Sequence, residues 1–554
     1  MSSCMETIPR DVLQHIAFLG ASASKLDPPS SILHLLLTSS TIYHTLSFDS
    51  CPQLYANIFR TKFDIAAPRR RYPTGLTDSA VAAEFKCRCR VLRRARRRDV
   101  SDTGMRQDLW TALWMILESD GLNETQLRVA EFPEFVIMSI QSRLGGSASQ
   151  VPENRDLDIE SLLVWLFCLT LSRKEIGSMS LEIRTDLLTI LRPFALSMYK
   201  LSTPAASCAL NIFDSSIVRP GLERSSHKYS IGAAEPLGTG VIINYSRRTT
   251  PQCPDPCYAA ISLIFALREA KSMEVPVHLP RNRAAAIAAH RSGPTMEDFL
   301  AIQNFKTPLF ADSFSNNLPE SSNSLTDPTR STKHDLEFSQ VLHQRPDLSY
   351  TYIPGTLTGI WQGTYMMAAI IPPRTESSSQ KPSSPPDLVN RQPMQCALSE
   401  YLCFSPYLPI PADDVVNRGL TLRPPLVLEE DFELCSRKYG YEKYTPTSKA
   451  TSSTQVWRNP DQALDVIITG ETLEDHDQAW GGFKFAGRVQ RDGMIVLKRA
   501  PKNADEDHLG TWVFEGRLCC GVAFVGTWRL STSFDTSPLH GIFSMERRSK
   551  TWDE

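Results

Sequence analysis

Apolar side chains recur at helical spacing through residues 5–63. In "METIPRDVLQHIAFLG", Pro9, Val12, Leu13 and Ile16 fall on one face of a helix, which predicts an amphipathic element. The turn-rich "ASASKLDPPSS" interrupts it, and "ILHLLLTSSTIYHTL" and "CPQLYANIFRTKF" then predict further short helices. Two or three short helices bury little surface among themselves, so such a unit needs a partner for its apolar faces. From residue 84 to 310 the pattern stays mostly helical. "QDLWTALWMILESDG" predicts an amphipathic helix on Leu109, Leu113, Leu117 and the two tryptophans, stopping at Gly121. "ESLLVWLFCLTLSR" and "TDLLTILRPFALSMYK" read as buried helices, and no repeat of solenoid period appears.

Near residue 350 the period changes to two. "GIWQGTY" puts Gly359, Trp361, Gly363 and Tyr365 on one face, with Gln362 and Thr364 opposite. "FKFAGRV" places Phe483, Phe485, Gly487 and Val489 against Lys484 and Arg488, while "TWVFEGRL" places Trp512, Phe514, Gly516 and Leu518 against Glu515 and Arg517. "AFVGTWR" sets Phe524, Gly526 and Trp528 against Thr527 and Arg529. The inward face thus alternates large aromatics with glycine. Glycine inside a strand weakens it, so its repeated use signals bends or close backbone approach, as a small closed barrel requires. With "LRPPLVLEEDFELCSRKY", "ALDVIITG", "GMIVLKR" and "HGIFSME", the pattern predicts an antiparallel barrel of about eight to ten strands, with a hairpin at "RDG" between Val489 and Met494. The expected class is α+β and multidomain: helices over 1–65, a helical scaffold over 66–310, a flexible linker over 311–338 and a β-barrel over 339–554. Two stretches rich in Ser, Asn and Pro, 311–333 and 372–387, read as a linker and as an insertion between strands reaching to about 390.

A chain of 554 residues exceeds one ordinary core, and 42% apolar with 22% charged residues suits a globular protein. The formal net charge of -2 gives no ground for nucleic acid or anionic membrane as a partner. The one basic stretch, "EFKCRCRVLRRARRRD", carries eight Lys/Arg between Lys86 and Arg98. No aromatic residue interleaves them for base stacking, so they read as the solvated face of a helix whose apolar positions are Phe85, Val91 and Leu92. No apolar run is long enough to span a bilayer. The opening "MSSCMETIPRDVLQ" carries Glu6 and Asp11 and lacks the basic and apolar regions of a secretory signal. Thirteen scattered cysteines favour reduced thiols, hence a cytoplasmic or nuclear setting.

Candidate chemistry is sparse. In "CPDPC", Cys253 and Cys257 have half-site spacing for zinc, but no second pair lies at a workable distance and His278 and His290 stand alone. A proline-rich turn capping the following helix is the expectation, with no metal and no cofactor. The acidic run "ETLEDHDQAWGG" brings Glu471, Glu474, Asp475, His476 and Asp477 together, which raises a metal-dependent hydrolase as an alternative. No HExxH, GxSxG, P-loop or dinucleotide fingerprint supports that class, and "GTG" at 238–240 lacks its strand-and-helix frame. Lying between two predicted strands, the run reads as a connection at one end of the barrel.

The opening segment resembles an F-box, on Ile8-Pro9, the Val12-Leu13 pair, Ile16, then Ile32, Leu33 and Leu36, the Thr38-Ser39-Ser40 turn and the closing Leu54-Tyr55. The link between its first two helices is longer than usual for that motif. Residues of about 340–548 resemble the lipocalin-like barrel of one branch of F-box proteins, with fungal relatives and a human member that targets D-type cyclins. The matching pieces are Gly359 to Tyr365, Asp465 to Thr472, His476, Ala479 to Gly481 and Trp512 to Trp528. The resemblance implies a non-catalytic substrate-recognition subunit of an SCF-type ubiquitin ligase acting in proteasomal degradation. It would bind a Skp-type adaptor, and through it a cullin scaffold, by Ile8, Pro9, Val12, Leu13, Ile16, Leu33 and Leu36. An unidentified client protein would meet the barrel, with Trp361, Tyr365, His476, Phe485, Trp512, Phe524 and Trp528 as candidate contacts; most of these aromatics are expected in the core. A small-ligand carrier of lipocalin type is the other alternative.

Overall fold

The computed structural model describes residues 4–26, 28–145, 156–210, 240–271, 275–312, 330–342, 351–369, 387–405, 440–445, 462–503, 510–519, 521–531 and 539–548, with side chains of the helix at 181–210 described as far as residue 196. The strand expected in "LRPPLVLEEDFELCSRKY" and most of the two Ser/Pro-rich stretches lie outside the described residues.

The helical region begins with α1 (Arg10–Ser22), α2 (Ser30–Leu36), α3 (Ser40–Leu46) and α4 (Pro52–Lys62). Ser39 caps α3 by accepting from the Ile42 amide, and Pro52 opens α4 where a missing N–H costs nothing. After the short α5 (Ala66–Arg71), the inward stripe Leu13, Ala17, Ile32, Ile42 and Leu46 joins a core that continues through α6 (Asp78–Arg97), α7 (Met105–Leu117), α8 (Leu122–Val129), α9 (Phe132–Leu144) and α10 (Leu157–Thr170). Helices α11 (Arg173–Ser178), α12 (Leu181–Leu210), α13 (Pro256–Arg268) and α14 (Arg283–Ala288) follow, with α13 central to this part of the chain. Helix α7 was expected to be amphipathic. Trp110, Ala112, Trp114 and Met115 are as deeply buried as Leu109, Leu113 and Leu117, so it is a central helix covered on all sides.

The arginine-rich stretch of α6 keeps Lys86, Arg90, Arg93, Arg96, Arg97 and Arg98 on the expected solvated face, with Phe85, Val91 and Leu92 buried, and departs from it at Arg88 and Arg94. Arg88 is fully buried: its Nε donates to Glu84 at 3.0 Å, its Nη1 to Asn123 at 3.0 Å and its Nη2 to the Tyr245 hydroxyl at 2.9 Å, with Glu118 paired to it as well. Tyr245 sits at the turn of a small hairpin, β1 (Ile242–Asn244) with β2 (Arg247–Thr249), which the periodicity did not reveal. Arg94 and Arg90 pair with the buried Asp108 of α7 at 2.6 and 2.5 Å. These cations hold α6 to its neighbours, because a buried carboxylate is tolerated only when paired.

Residues 330–338 were expected in a flexible linker, yet Arg330–His334 and Asp335–Leu342 are helical and docked on the helical core. Phe338 and Val341 enter that core, Asp335 accepts from Arg70 and Arg71, and the Ser331 amide donates to Asp120 at 3.0 Å. Tertiary contacts thus order a polar stretch whose composition alone reads as a connector.

The C-terminal region is a closed barrel of eight antiparallel strands. In order around the ring these are β3 (Gly359–Ala368), β4 (Leu388–Cys403), β6 (Asp465–Glu471), β7 (Phe483–Val489), β8 (Ile495–Pro501), β9 (Thr511–Cys519), β10 (Ala523–Ser531) and β11 (His540–Arg547), and β11 pairs back with β3. The short β5 (Tyr441–Lys443) adds to the far end of β4. The predicted alternation holds: Trp361, Phe485, Phe514, Phe524, Trp528 and Phe543 form one interior cluster. Gly516 and Gly526 are direct cross-strand partners, and a Cβ on Gly526 would meet Glu515 O at 2.0 Å and Gly516 Cα at 2.5 Å. Strands β9 and β10 approach there closely enough for aromatic neighbours to fill the interior.

One end of the barrel is sealed. Glu400, inward-facing and fully buried, accepts from the amides of Gly355, Leu357 and Thr358 at 2.6, 2.7 and 2.7 Å, and Trp361 Nε1 donates to Leu357 O at 2.7 Å. On the outer wall, Met366, Ala368, Leu388, Ala523, Val525 and Ile542 merge with the helical core. Helix α13 is the wedge between the two regions: it contacts β9, β10 and β11 and is buried from Cys257 to Leu267. At its C-terminus the buried Glu269 meets Arg391 of β4 at 3.3 Å and accepts from the Thr307 hydroxyl at 2.7 Å.

Two substitutions probe these contacts. Arg88→Met leaves Glu84 and Glu118 buried without their shared cation and should lower unfolding free energy by about 3–5 kcal/mol in chemical denaturation; a change below about 1 kcal/mol contradicts the role given to Arg88. Gly526→Val forces a side chain into the β9 backbone and should lower barrel stability by about 1–3 kcal/mol, read as a drop in the near-UV tryptophan melt.

Candidate functional site

Among the described residues, two places stand out for groups that the fold itself leaves unused. The first is the outer side of the N-terminal helices. Val12, Ile16 and Leu19 on α1, Leu33 and the C-capping Leu37 on α2, and Tyr43 on α3 are between 40% and 75% exposed. Pro9, the N-cap of α1, is exposed beside them, and Ile8 and Leu36 are half-buried against the core. Leu13 is placed differently from the expected contact set: at 3% exposure it packs inward with Ala17 and Ile32. The Val12-Leu13 pair is split because adjacent residues on a helix point about 100° apart. Leu19, Leu37 and Tyr43 were not singled out from the sequence, although Leu19 follows Val12 and Ile16 at helical spacing.

The second is the barrel end opposite Glu400. Of the six aromatics and one histidine proposed as contacts, Trp361, Phe485, Phe524 and Trp528 are buried interior residues, and the Trp528 indole N–H is engaged by Met366 O at 3.0 Å. Tyr365 and Trp512 also face inward but remain partly exposed, as does Met367. Trp512 stacks on Trp528 with centroids 4.4 Å apart, and Tyr365 meets both rings edge-on at 5.5 Å. The acidic run forms the helical turn Glu474–Trp480 between β6 and β7. Glu474 and Asp475 are exposed, Lys502 pairs with Glu471 and Asp477, and Trp480 packs edge-on against Phe299 of α15 (Met296–Asn304).

Inside this end lies a residue that strand period alone did not single out. Arg499 follows Ile495 and Leu497 at strand period on the inward face of β8 and is only 5% exposed. Its guanidinium lies 4.0 Å from the Phe483 ring centre and 4.1 Å from that of Trp512, with Phe514 and Tyr365 at 5.6 and 5.8 Å. Among the described residues no carboxylate pairs with it, and its Nε has no hydrogen-bond partner. Burial pulls its pKa down to about 10, opposed by the Tyr365 hydroxyl, so the group is a cation at neutral pH. Burial and the nearby Arg499 charge lower His476 to about 4, against the pull of Asp477 and Asp298, so its imidazole is neutral at pH 7. The only clue in the sequence was a cation at a position whose period-two neighbours are apolar.

Among the described residues no group of three His, Cys, Asp or Glu is placed to hold an ion. Cys253 and Cys257 point to different backbone carbonyls, those of Asp158 and Ala195, while Asp255 caps α13 by accepting from the Cys257 amide at 2.9 Å. Among the described residues no helix is long and apolar enough to cross a membrane. No protein-family model matches the chain, and no curated protein or solved structure matches it.

The electrostatics of Arg499 make a prediction opposite to that for Arg88. A lone buried cation costs several kcal/mol of desolvation, which cation–π contacts of roughly 0.5–2 kcal/mol each offset only in part. Arg499→Met should therefore leave stability unchanged or raise it, read as an equal or higher midpoint in chemical denaturation. A loss as large as that of Arg88→Met overturns the contrast.

Proposed function

We propose that the protein is a non-catalytic substrate receptor of an SCF-type ubiquitin ligase, cytoplasmic or nuclear, with an F-box-like N-terminus and a lipocalin-like barrel. The observation that carries this reading is the bare apolar face on α1 and α2, whose opposite face is locked into the core. Covering Val12, Ile16, Leu19, Leu33 and Leu37 with a partner would remove side chains worth about 1.5–3 kcal/mol each when fully buried. A helical surface of this kind suits a Skp-type adaptor, which would link the chain to a cullin scaffold. The eight strands that each pair with the next in sequence support the lipocalin-like reading of the barrel. In this function the chain performs no chemistry: holding a client lysine beside a charged ubiquitin-conjugating enzyme converts a bimolecular transfer into an effectively intramolecular one.

The discriminating variant avoids Leu13, since a charge there would unfold the helices rather than probe a surface. Val12→Asp combined with Ile16→Glu should abolish co-purification of the full chain with the Skp-type adaptor while leaving the thermal melt within about 1–2 °C. Adaptor binding by that double variant overturns the interface.

A further inference from the structure

The inner end of the barrel around Arg499 has the chemistry of a ligand site. The geometry points to a binding site for a small organic carboxylate with a flat or short apolar body, seated in the barrel at the end away from Glu400 with its carboxylate on the Arg499 guanidinium. Three observations meet there.

First, Arg499 is a nearly fully buried cation whose polar neighbour is the Tyr365 hydroxyl, with no carboxylate of its own among the described residues and an Nε without a hydrogen-bond partner. The contrast with Arg88, equally buried and matched by Glu84 and Glu118, shows how this fold treats an arginine that serves structure alone. Second, Phe483 and Trp512 lie within 4.0 and 4.1 Å of the guanidinium carbon. Rings occupy the faces, so further partners must lie in the guanidinium plane, and a carboxylate is the acceptor that fills such an edge with two parallel hydrogen bonds. Third, the interior is closed at the Glu400 end and filled through its middle by Trp361, Phe524 and Phe543, while inward-facing Tyr365, Met367 and Trp512 keep exposed surface. The filled middle leaves only the Arg499 end of the interior to a ligand. It suits a ring or a few methylenes beneath the carboxylate rather than a long acyl chain. The neutral His476 adds no competing charge at this end, and Asp477 is engaged by Lys502.

The site is independent of the adaptor reading, and its test needs no adaptor. Purified full-length protein is titrated by calorimetry with phenylacetate, indole-3-acetate and hexanoate, with phenylacetamide as the neutral counterpart and palmitate as the long-chain one. At least one of the three short acids should bind at micromolar to low millimolar concentration. Phenylacetamide should bind at least about tenfold more weakly than phenylacetate, and Arg499→Gln should weaken the best acid by about tenfold or more, the loss of a charge-assisted contact. Arg499→Lys, which keeps the charge, should retain part of the affinity and guards against a folding defect in the glutamine variant. Arg529→Gln, on the outer wall, should bind as the parent does. Failure of all three short acids at millimolar concentration overturns the proposal. So does equal binding of acid and amide, retention within about twofold by a folded Arg499→Gln, or tighter binding of palmitate that ignores the substitution.

Discussion

The backbone of β3 donates and accepts on both sides, to β4 along 359–368 and to β11 along 361–367. That double pairing closes the sheet, and closure dictates both how the interior is packed and how the two ends differ. A closed ring of eight strands has no free edge, but its interior must be filled by the side chains that point into it. Tryptophan and phenylalanine fill it, and glycine at positions such as Gly516 and Gly526 makes room for them. A ring also has two ends. Here one is stoppered by three backbone amides on the buried Glu400 carboxylate, and among the described residues the other carries Arg499, Trp512, Tyr365 and the Glu474–Trp480 turn.

Two buried arginines show how the same side chain acquires different roles. Arg88 is surrounded by acceptors drawn from α6, the ends of α7 and α8, and the β1–β2 turn, so its charge organises the helical region. Arg499 is surrounded by rings. Rings attract a cation less strongly than a carboxylate does, which leaves part of its desolvation cost uncompensated. Natural proteins retain such costs at sites that act on something else. Between them, α13 ties the two regions together by apolar packing on β9, β10 and β11, and Glu269 with Arg391 adds an ionic contact at its end.

The N-terminal helices obey the complementary logic. Their inward stripe is consumed by the core, and the remaining apolar residues have no partner within the described chain. A surface of this composition favours association over solvation. In the proposed receptor this face would serve assembly and the barrel recognition.

Much of the barrel was legible in the amino-acid sequence, because strand period assigns each residue to one of two faces. The interior positions of Trp361, Phe485, Trp512, Phe524 and Trp528, the 490–493 turn and the surface placement of the acidic run all come from it. Helical period located α1, α7, α10 and α12 equally well. Period says that two faces differ, however, not what covers them. Whether α7 is half-exposed or central, and whether Arg88 meets water or Glu118, depends on residues brought from elsewhere; Tyr245 lies 157 positions from Arg88. Likewise, ordering of 330–342 depends on Asp120, Glu124 and Arg71, and Leu13 turns inward because the core lies on that side of α1. The elements and their apolar faces can be read from the order of residues alone, since these arise from local geometry. Which charges find a counter-charge, and which, like Arg499, find none among the described residues, is set by the fold, because pairing depends on distances across it that no local pattern encodes.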